Sequence, residues 1–541
     1  MVRVAAQHTV GLLRYDPSAA YEGYNLIYPH NQPHVYLLNN CGEVVHRWED
    51  EANYRPGNTA YLLPDGKLVK TKRKSNVSMD PIWAGGGGAT MEIREWDNTL
   101  VWSFEMNNDT QRLHHDFAIT PQGTLLLLAW EKKSRAAAIQ AGRDTSLLPD
   151  DELWPEFLVE INPATDEIVW EWHLWDHLVQ EFDPTKDNFG AVSEHPELLD
   201  INFTTNNGGR DWLHANSVDF NPELNQIMLG TPFLSEVYLI DHTTTTAQAA
   251  GHAGGLGGRG GDFLYRWGNP QSYGAGAAAD QQLFGHHAAH WIDDFLDFTH
   301  PYFGRIGVFN NQAGPDFSTV NVCSPVWDMY DWEYPIPPGT AWSPAGFDLT
   351  LTHPEPTAMY SEGLSSAQFL PNGNVLILSG RQGYAFELTP DNEIVWEYVT
   401  PLKGGQPVPQ GTLLAANDNL TFRMDRYPAD FSGFEGRDLS PIGWIELNPD
   451  SQFCGNILPS FEAVRDVAVT LSPNPARDRV TISWKAGIWA DLSVYDLFGR
   501  PVYGPEKLTG GQTYLDVSAW QPGTYFVRVD GGAPKVLLLQ R

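Results

Sequence analysis

The sequence has little cysteine and no long apolar run, and each shortage excludes a class of protein. Its three cysteines, Cys41, Cys323 and Cys454, lack the close spacing of a zinc site and allow one disulfide at most. Pairing Cys41 with Cys454 would tie the early part of the chain to a late part, but the sequence alone leaves the pairing open. No apolar stretch approaches the length of a membrane-spanning helix.

Positive charge is also scarce, because 34 lysines and arginines face 67 aspartates and glutamates, for a net charge of −33. Nucleic acids and anionic membranes repel such a chain, so neither is an expected partner. Solubility alone explains the acidic balance. The acidic string Asp293–Asp297 falls short of a defined calcium loop, so no metal site and no cofactor are predicted.

A repeated string is present instead, in which a short polar turn leads into an apolar run that ends in tryptophan. Its five copies are Cys41–Trp48, Asp97–Trp102, Thr165–Trp170, Asp262–Trp267 and Asp391–Trp396. Alternating apolar strings with Pro-x-Gly or Asn-Gly turns follow most copies, which predicts antiparallel strands. Short strands in a unit of this spacing predict an all-β chain with a six-bladed β-propeller. Each tryptophan is expected to close its blade against the next blade.

The five copies leave a sixth blade to be placed. It is expected either from the weakly patterned stretch Val320–Met359 or from N-terminal strands that pair with the last blade. The composition changes near Val464, where a small β-sandwich is predicted. The predicted organisation is an N-terminal segment (1–22), the propeller (23–456), a linker (457–465) and the C-terminal β-sandwich (466–541).

Three histidine strings lie at comparable points of the repeat. They contain His115 in R-L-H-H-D-F, His214 in D-W-L-H-A-N-S and His287 in F-G-H-H-A-A-H-W. A propeller would bring them together at its axis, where imidazoles act as ligands, bases or nucleophiles. Arg381, at a predicted strand end, is a candidate for binding an oxyanion. His290 is interpreted as structural.

Two glycine-rich strings carry no phosphate-binding signature. Trp83–Ala89 lacks the Lys-Ser/Thr pair and the following helix of a phosphate loop, and it is interpreted as a tight backbone approach or a rim loop. Gly251–Asp262 is interpreted as a flexible loop that covers the axial mouth as a lid.

Three motifs mark the C-terminal segment: the turn Pro473–Pro475, the turn Tyr495–Gly499 and the string Pro522–Tyr525. With them, the segment resembles the type A C-terminal sorting domain of the type IX secretion system of Bacteroidota. The resemblance implies passage through the periplasm, export by the type IX machinery as a partner, removal of the domain, and a secreted or cell-surface location. Met1–Val10 shows no visible signal-peptide pattern.

Three strings in the body of the chain match one enzyme family: Asp211–Phe220, Phe284–Trp291 with the later Gly307–Asn311, and Ser365–Arg381. With these strings the chain resembles the arylsulfotransferases, a family of secreted six-bladed propellers. The resemblance implies transfer of a sulfuryl group from a phenolic sulfate ester to a phenol, through a covalently modified histidine and without a soluble nucleotide donor. The implied partners are therefore a small aryl sulfate and a phenol.

The chemistry of that reaction indicates which residues take part. A sulfate monoester requires positive charge and fixed donors at its oxygens and an in-line nucleophile. Neutral imidazole is a suitable nucleophile, and a second histidine can move the phenolic proton. The predicted catalytic residues are His287, His214, His115 and Arg381, and the predicted substrate-binding residues are Asn216, Asn311 and Ser366.

The chain also departs from the family's pattern. His286 and Ala288 stand where related sequences have glutamine and aspartate, and Ser365 and Ser366 stand in the last clear blade, where a further histidine occurs. Loss of the aspartate is expected to leave the imidazole of His287 less well held.

Two other functions stay open at this point. Without turnover, the propeller would be a cell-surface module that binds a ligand. The string N-P-A-T-D-E-I-V-W at Asn162–Trp170 is similar to the tryptophan-docking repeat of quinoprotein-like dehydrogenases. The irregular spacing of that repeat in most blades counts against the dehydrogenase.

Overall fold

Strands dominate the computed structural model of the chain, as the alternating apolar pattern predicts. The chain divides into a first unit of residues 1–294 and 305–457 and a second unit of residues 295–304 and 458–541. The structure describes residues 8–206, 208–328, 330–454, 469–484, 490–496, 500–508, 511–529 and 535–540. The predicted linker 457–465 lies outside the described residues. Among the described residues, no helix has the length and apolarity needed to cross a bilayer.

The strands of the first unit are short, and most are joined by tight turns. In chain order they begin with β1 (Gly11–Tyr15), β2 (Gly23–Pro29), β3 (Val35–Asn39), β4 (Val44–Trp48), β5 (Tyr54–Leu62), β6 (Leu68–Lys74), β7 (Thr90–Arg94), β8 (Leu100–Glu105), β9 (Gln111–Ile119), β10 (Leu125–Glu131), β11 (Lys133–Ser134), β12 (Glu152–Leu153), β13 (Glu156–Asn162), β14 (Glu167–His173), β15 (Leu178–Val179) and β16 (Leu199–Asp200). They continue with β17 (Ser217–Asn221), β18 (Gln226–Thr231), β19 (Glu236–Asp241), β20 (Tyr265–Trp267), β21 (His287–Trp291), β22 (Ile306–Asn310), β23 (Thr319–Cys323), β24 (Leu349–Leu351), β25 (Ser366–Phe369), β26 (Val375–Ser379), β27 (Tyr384–Leu388), β28 (Ile394–Val399), β29 (Leu402–Lys403), β30 (Gln406–Pro407) and β31 (Thr421–Pro428).

Within the part of the chain that the structure describes, helical structure is confined to the connections between strands. The α-helices are α1 (Arg135–Gln140) and α2 (Thr246–Ala249). Short 3₁₀ turns occur at Thr145–Leu147, Leu174–Asp176, Val192–Glu194, Pro270–Tyr273, Ala278–Asp280, Pro356–Met359, Gly380–Gln382 and Ser432–Phe434.

Most strands of the first unit pair into six antiparallel sheets of four or five strands within its described residues. In pairing order, sheet 1 is β31-β2-β3-β4, sheet 2 is β5-β6-β7-β8, sheet 3 is β9-β10-β13-β14, sheet 4 is β17-β18-β19-β20, sheet 5 is β21-β22-β23-β24 and sheet 6 is β25-β26-β27-β28-β1. N-terminal strands thus pair with C-terminal ones in sheets 1 and 6. The stretch Val320–Met359 supplies β24 and most of β23 to sheet 5 and builds no sheet of its own.

The tryptophans of the repeated string end or lie within β4, β8, β14, β20 and β28, the fourth strands of their sheets. Each indole N–H donates to the connection between the third and fourth strands of the following sheet: Trp48 to the Glu95 carbonyl (3.2 Å), Trp102 to Asp166 (2.6 Å), Trp170 to Thr244 (3.2 Å), Trp267 to the Pro344 carbonyl (2.7 Å) and Trp396 to the Asn40 carbonyl (2.8 Å). The prediction that each tryptophan closes its sheet against a neighbour is confirmed. The last of these bonds joins sheet 6 to sheet 1.

Polar side chains join the first strands of consecutive sheets. The amide of Val218 donates to Asp116 (3.3 Å), and the amide of Trp291 donates to Asp219 (2.7 Å). The amide of Met424 in sheet 1 donates to Ser366 Oγ in sheet 6 (3.3 Å). These bonds replace water at buried backbone groups, and they join β9 to β17, β17 to β21 and β25 to β31.

A disulfide joins Cys41 and Cys454, whose Cα atoms lie 5.6 Å apart across 413 residues of sequence. The pairing that the sequence left open is therefore confirmed as Cys41 with Cys454. The remaining thiol, Cys323, is buried at the end of β23. The bond ties the turn between β3 and β4 to the end of the first unit.

The second unit is built from seven strands within its described residues. They are β32 (Thr470–Ser472), β33 (Arg479–Ser483), β34 (Ala490–Asp496), β35 (Pro501–Leu508), β36 (Gln512–Asp516), β37 (Gly523–Val529) and β38 (Lys535–Leu539). One sheet is β32-β33-β36 and the other is β35-β34-β37-β38. Both contribute to one apolar core, which contains Ile482 and Leu515 from the first sheet and Val494 and Val527 from the second.

Candidate functional site

Three of the predicted histidines meet where the first strands of neighbouring sheets begin. His115 lies in β9, His214 lies three residues before β17, and His287 is the first residue of β21. The ring centroids of His115 and His214 are 4.6 Å apart. The ring of Phe422 lies 6.0 Å from that of His115 and 6.3 Å from that of His287. The structure therefore brings together side chains from sheets 3, 4 and 5, as the sequence predicts.

The backbone adopts the left-handed conformation at one comparable point of five sheets. The residues and their φ angles are Asn58 (116°), His115 (49°), His214 (55°), Ala288 (50°) and Ser365 (94°). Residues other than glycine rarely adopt this conformation, and each costs on the order of 1–3 kcal/mol. Its recurrence at the site indicates that a shared backbone kink sets the direction in which these strands present their side chains.

The imidazole of His287 is held by Asn311, which directly follows β22. The Asn311 Nδ2 group donates to the carbonyls of Ser361 (2.8 Å) and Leu364 (2.9 Å), so its Oδ1 is the atom that faces His287. His287 Nδ1 lies 2.9 Å from that Oδ1 and must carry the hydrogen. The Nε2 atom of neutral His287 therefore keeps its lone pair. Contrary to expectation, alanine at 288 does not leave the ring unheld, because Asn311 supplies the acceptor.

His214 has a carboxylate partner of its own. Its Nδ1 lies 2.5 Å from Asp211 Oδ2, and its ring stacks on Phe233 with 4.6 Å between centroids. A carboxylate on Nδ1 fixes the tautomer and the orientation of the ring. The exposed fraction of the His214 side chain is 17%, which leaves it open to a ligand.

His115 is covered by the glycine string that the sequence singled out. The amide of His115 donates to the Gly86 carbonyl (2.8 Å), and the amide of Gly88 donates to the Leu113 carbonyl (2.9 Å). A Cβ atom on Gly86, whose φ is 78°, would overlap the His115 ring. The reading of Trp83–Ala89 as a tight backbone approach is confirmed.

Arg381 follows β26 and borders the same space as His287. A Cβ atom on Gly363 would lie 3.5 Å from Arg381 Nη2 and 3.6 Å from His287 Cε1, so both side chains approach one glycine. Arg381 Nη1 donates to Asn417 (2.9 Å), whereas its Nε has no hydrogen-bond partner among the described residues. An unpaired guanidinium N–H is available to an anionic ligand.

Burial keeps His287 and His115 neutral. It lowers the pKa of His287 to about 3; the bond to Asn311 opposes this shift, and the nearby His214 and Arg381 reinforce it. The pKa of His115 is also well below its usual value, through burial and then through the charge of His214. A neutral imidazole is the nucleophilic form of histidine.

Sequence reasoning missed His30 and Arg73, which approach the site from sheets 1 and 2. Burial, reinforced by the charges of Arg73 and Arg381, lowers the pKa of His30 to about 4. His30 Nε2 has no partner among the described residues. His30 belongs to none of the repeated strings, so no pattern in the sequence points to it.

Two predicted binding residues lie in contacts between sheets. Asn216 Nδ2 donates to the His286 carbonyl (2.8 Å), and Ser366 Oγ accepts from the Met424 amide (3.3 Å). Both side chains are buried. Their roles in binding stay predictions, whereas Asn311 has a defined place beside His287.

The second glycine string, Gly251–Asp262, packs at the opposite end of sheet 4. The Gly257 amide donates to Asp241 Oδ2 (2.8 Å), and Asp241 pairs with Gln226. The end of the sheet near His214 is the one where Ser217 pairs with Gly230. The interpretation of this string as a lid over the histidines is therefore wrong.

The sequence profile of the arylsulfotransferase (ASST) family matches residues 23–256. This part of the chain is similar to an arylsulfotransferase domain. The matched part of that domain contains His115 and His214, while His287, Asn311 and Arg381 lie beyond it. Residues 470–537 match the secretion system C-terminal sorting domain, which indicates secretion or a cell-surface location through the type IX system. No curated protein matches the chain.

Solved structures similar to this chain include propellers of low sequence identity. A protein of unknown function from Bacteroides caccae is 10% identical over 70% of this chain and 93% of its own, with a TM-score of 0.37. Inactive virginiamycin B lyase from Staphylococcus aureus is 9% identical over 70% and 85%, with a TM-score of 0.31. The Dos1 propeller is 10% identical over 70% and 71%, with a TM-score of 0.30. Likeness at this level says nothing of the chemistry of the histidine site.

Proposed function

We propose that the protein is a secreted aryl-sulfate sulfotransferase that moves a sulfuryl group from a phenolic sulfate ester to a phenol through a histidine. In this proposal the six sheets are the blades of a six-bladed propeller, with the site at its axis. The sheets of the second unit form a sandwich, over about residues 466–541, that is removed after periplasmic passage and export. The observation that carries the enzymatic proposal is the free Nε2 lone pair of His287 beside Arg381, His214 and His115.

The charges around the site support an anionic substrate. After burial, the charges of Arg73 and Arg381 lower the pKa of His30, and the charge of Arg381 also lowers the pKa of His287. Arg381 and Arg73 bring fixed positive charge, and guanidinium groups pair well with sulfuryl oxygens. A buried cationic site of this kind stabilises the charge on a transferring sulfuryl group.

In the first step, His287 Nε2 attacks the sulfur atom. An S–N bond forms, the S–O bond to the aryl group breaks, and the phenolate leaves with the electron pair of that bond. The Nδ1 hydrogen bond to Asn311 delocalises the positive charge that develops on the ring. His214, paired with Asp211, is placed to supply a proton to a poor leaving phenolate.

In the second step, the acceptor phenol attacks the sulfohistidine. Its oxygen forms the new S–O bond, the S–N bond breaks, and the pair of electrons returns to His287 Nε2. His214 takes the phenolic proton and passes it to solvent. The reaction consumes no nucleotide and needs no oxidant.

The test is release of 4-nitrophenol from 4-nitrophenyl sulfate by the full chain, with and without added phenol. We expect phenol-stimulated release from the wild type and its loss in His287→Ala and His214→Ala. The matched control is His290→Ala. His290 lies three residues after His287 in the same strand, and its own Nδ1 bonds to the Ala288 carbonyl (2.8 Å). A folded wild type that binds the ester without releasing 4-nitrophenol would instead make the propeller a ligand-binding module.

A further inference from the structure

A second cluster of ligand-type side chains lies in the first unit away from the histidine site. It consists of His177, His252 and Asp262, whose nitrogen and oxygen atoms all lie within 4.8 Å of one another. His177 Nδ1 is 2.7 Å from Asp262 Oδ1, and His252 Nδ1 is 2.8 Å from the same oxygen. Two imidazoles therefore converge on one carboxylate atom.

The Nδ1 atom of His177 faces a group with which it cannot form an ordinary hydrogen bond when the ring is neutral. Its Nε2 lies 2.8 Å from the Ala249 carbonyl, which can only accept, so Nε2 carries the hydrogen. In neutral His177 the lone pair on Nδ1 then faces the Asp262 oxygen, which is also an acceptor. Two acceptors at this distance require a cation between them. A bound metal ion meets this requirement, and so does an extra proton on the ring.

We propose that His177, His252 and Asp262 bind one divalent transition-metal ion of the zinc class through the two Nδ1 atoms and a carboxylate oxygen. Imidazole and carboxylate are common zinc ligands, whereas calcium and magnesium prefer oxygen alone. The bond from His177 Nε2–H to the Ala249 carbonyl is the outer contact that metal-bound histidines usually make. Around zinc, ligand atoms about 2.0–2.1 Å from the ion lie about 3.3 Å apart, so each of the two nitrogen–oxygen distances must lengthen by about half an ångström.

The surroundings of the cluster fix one ligand and leave another free to adjust. The ring of His177 is fully buried and stacks on Trp172, with 5.5 Å between centroids. Trp172 in turn donates to the Gly261 carbonyl (2.7 Å), next to Asp262. The His252 side chain is 62% exposed and sits in the glycine-rich loop, which allows the small movement. A cavity of about 940 Å³ borders His252 and Asp262 and leaves room for a water molecule as the fourth ligand.

The experiment uses the full chain, stripped of metal with a chelator and titrated with Zn²⁺ by calorimetry and with Co²⁺ by visible spectroscopy. The variants are His252→Ala and Asp262→Asn; His177 is left intact because it is fully buried. The matched control is His195→Ala, which removes another exposed histidine of the same cavity that pairs with Glu197 (3.0 Å) and lies outside the cluster.

We expect one Zn²⁺ per chain, the absorption bands of four-coordinate Co²⁺, and Zn²⁺ affinity lower by roughly tenfold or more in both cluster variants. His195→Ala should bind as the wild type does. Absence of binding, or equal binding by the wild type and His252→Ala, would overturn the proposal and make the cluster an ion pair with a protonated His177. Sulfuryl transfer is measured separately, since this site does not depend on the proposed reaction.

Discussion

Asn311 Oδ1 accepts a hydrogen bond from His287 Nδ1 at 2.9 Å, and this contact determines which nitrogen of His287 is nucleophilic. The orientation of the amide is set by two carbonyls that accept from its Nδ2, so the contact does not depend on the histidine itself. An amide in this place performs the orienting role that a carboxylate performs for His214. It also stabilises positive charge less strongly than a carboxylate does, which favours the low pKa of His287.

The first prediction concerns Asn311 as a positioning residue. In Asn311→Leu the ring of His287 loses the partner that selects its tautomer, so kcat for 4-nitrophenyl sulfate should fall by about 10–100-fold with little change in KM. Asn310→Leu is the control, because Asn310 is the adjacent buried asparagine and its side chain bonds to Phe284 and Gln282 instead. A similar fall in both variants would reduce the role of Asn311 to structural support.

Replacing the Asn311 amide with a carboxylate should change the pH dependence of activity, which a purely structural role of Asn311 would leave unchanged. In Asn311→Asp the added negative charge favours the protonated ring, so the pKa of His287 should rise. The pH below which the enzyme loses activity should rise with it. An acidic limb at the same pH in wild type and variant would count against the contact.

The second prediction is that sulfuryl transfer from the ester to His287 keeps its rate in mild acid. Burial lowers the pKa of His287 to about 3, so the reactive neutral form persists as the pH falls from 7 to 5. For an imidazole with the usual pKa of about 6.5, the neutral fraction would fall about 25-fold over that interval. Single-turnover release of 4-nitrophenol, whose anion needs no acid to leave, isolates this step. A single-turnover rate that falls to half near pH 6.5 would show that His287 is more exposed to solvent than in the structure.

Much of this arrangement follows from the sequence because the signals are local. The five tryptophan strings lie on fourth strands of sheets, and the strings around His115, His214 and His287 lie at first strands, as their repetition predicts. The alternating apolar residues of short strands and the turns between them depend on neighbours a few residues away.

Other parts of the fold depend on pairing between distant residues, which no local pattern encodes. β31 pairs with β2 although Asp425 and Leu26 are about 400 residues apart in the chain. His30 and Arg73 reach the site only because sheets 1 and 2 bring them there. Asn311 was predicted as a binding residue, but its place behind His287 depends on the carbonyls of Ser361 and Leu364. The prediction that Gly251–Asp262 is a lid was wrong, because glycine content alone does not determine where a loop packs.

The third prediction separates a clash at the site from the cost of the backbone conformation. Gly86→Ala places a Cβ where the His115 ring lies, whereas Gly123→Ala, at nearly the same φ (79° against 78°), meets nothing within 4 Å. Both should lose about 1–2 kcal/mol of stability from the left-handed backbone. Only Gly86→Ala should also lose activity, by tenfold or more, because the site must move to make room. Unfolding curves and 4-nitrophenol release measure the two effects, and equal activities would mean that His115 has no part in turnover.

The fourth prediction concerns the disulfide between Cys41 and Cys454. It closes a loop of 413 residues in the unfolded chain, so its loss should lower the free energy of unfolding by about 2–4 kcal/mol. A reductant should therefore shift the denaturation midpoint of the wild type and leave that of the Cys41→Ser/Cys454→Ser variant unchanged. Thiol titration of the denatured chain checks the pairing, with one reactive thiol, from Cys323, before reduction and three afterwards. Three thiols before reduction would show that the bond does not form. Sheets 6 and 1 would then be joined by contacts such as the bond from Trp396 to the Asn40 carbonyl and the bond from the Met424 amide to Ser366.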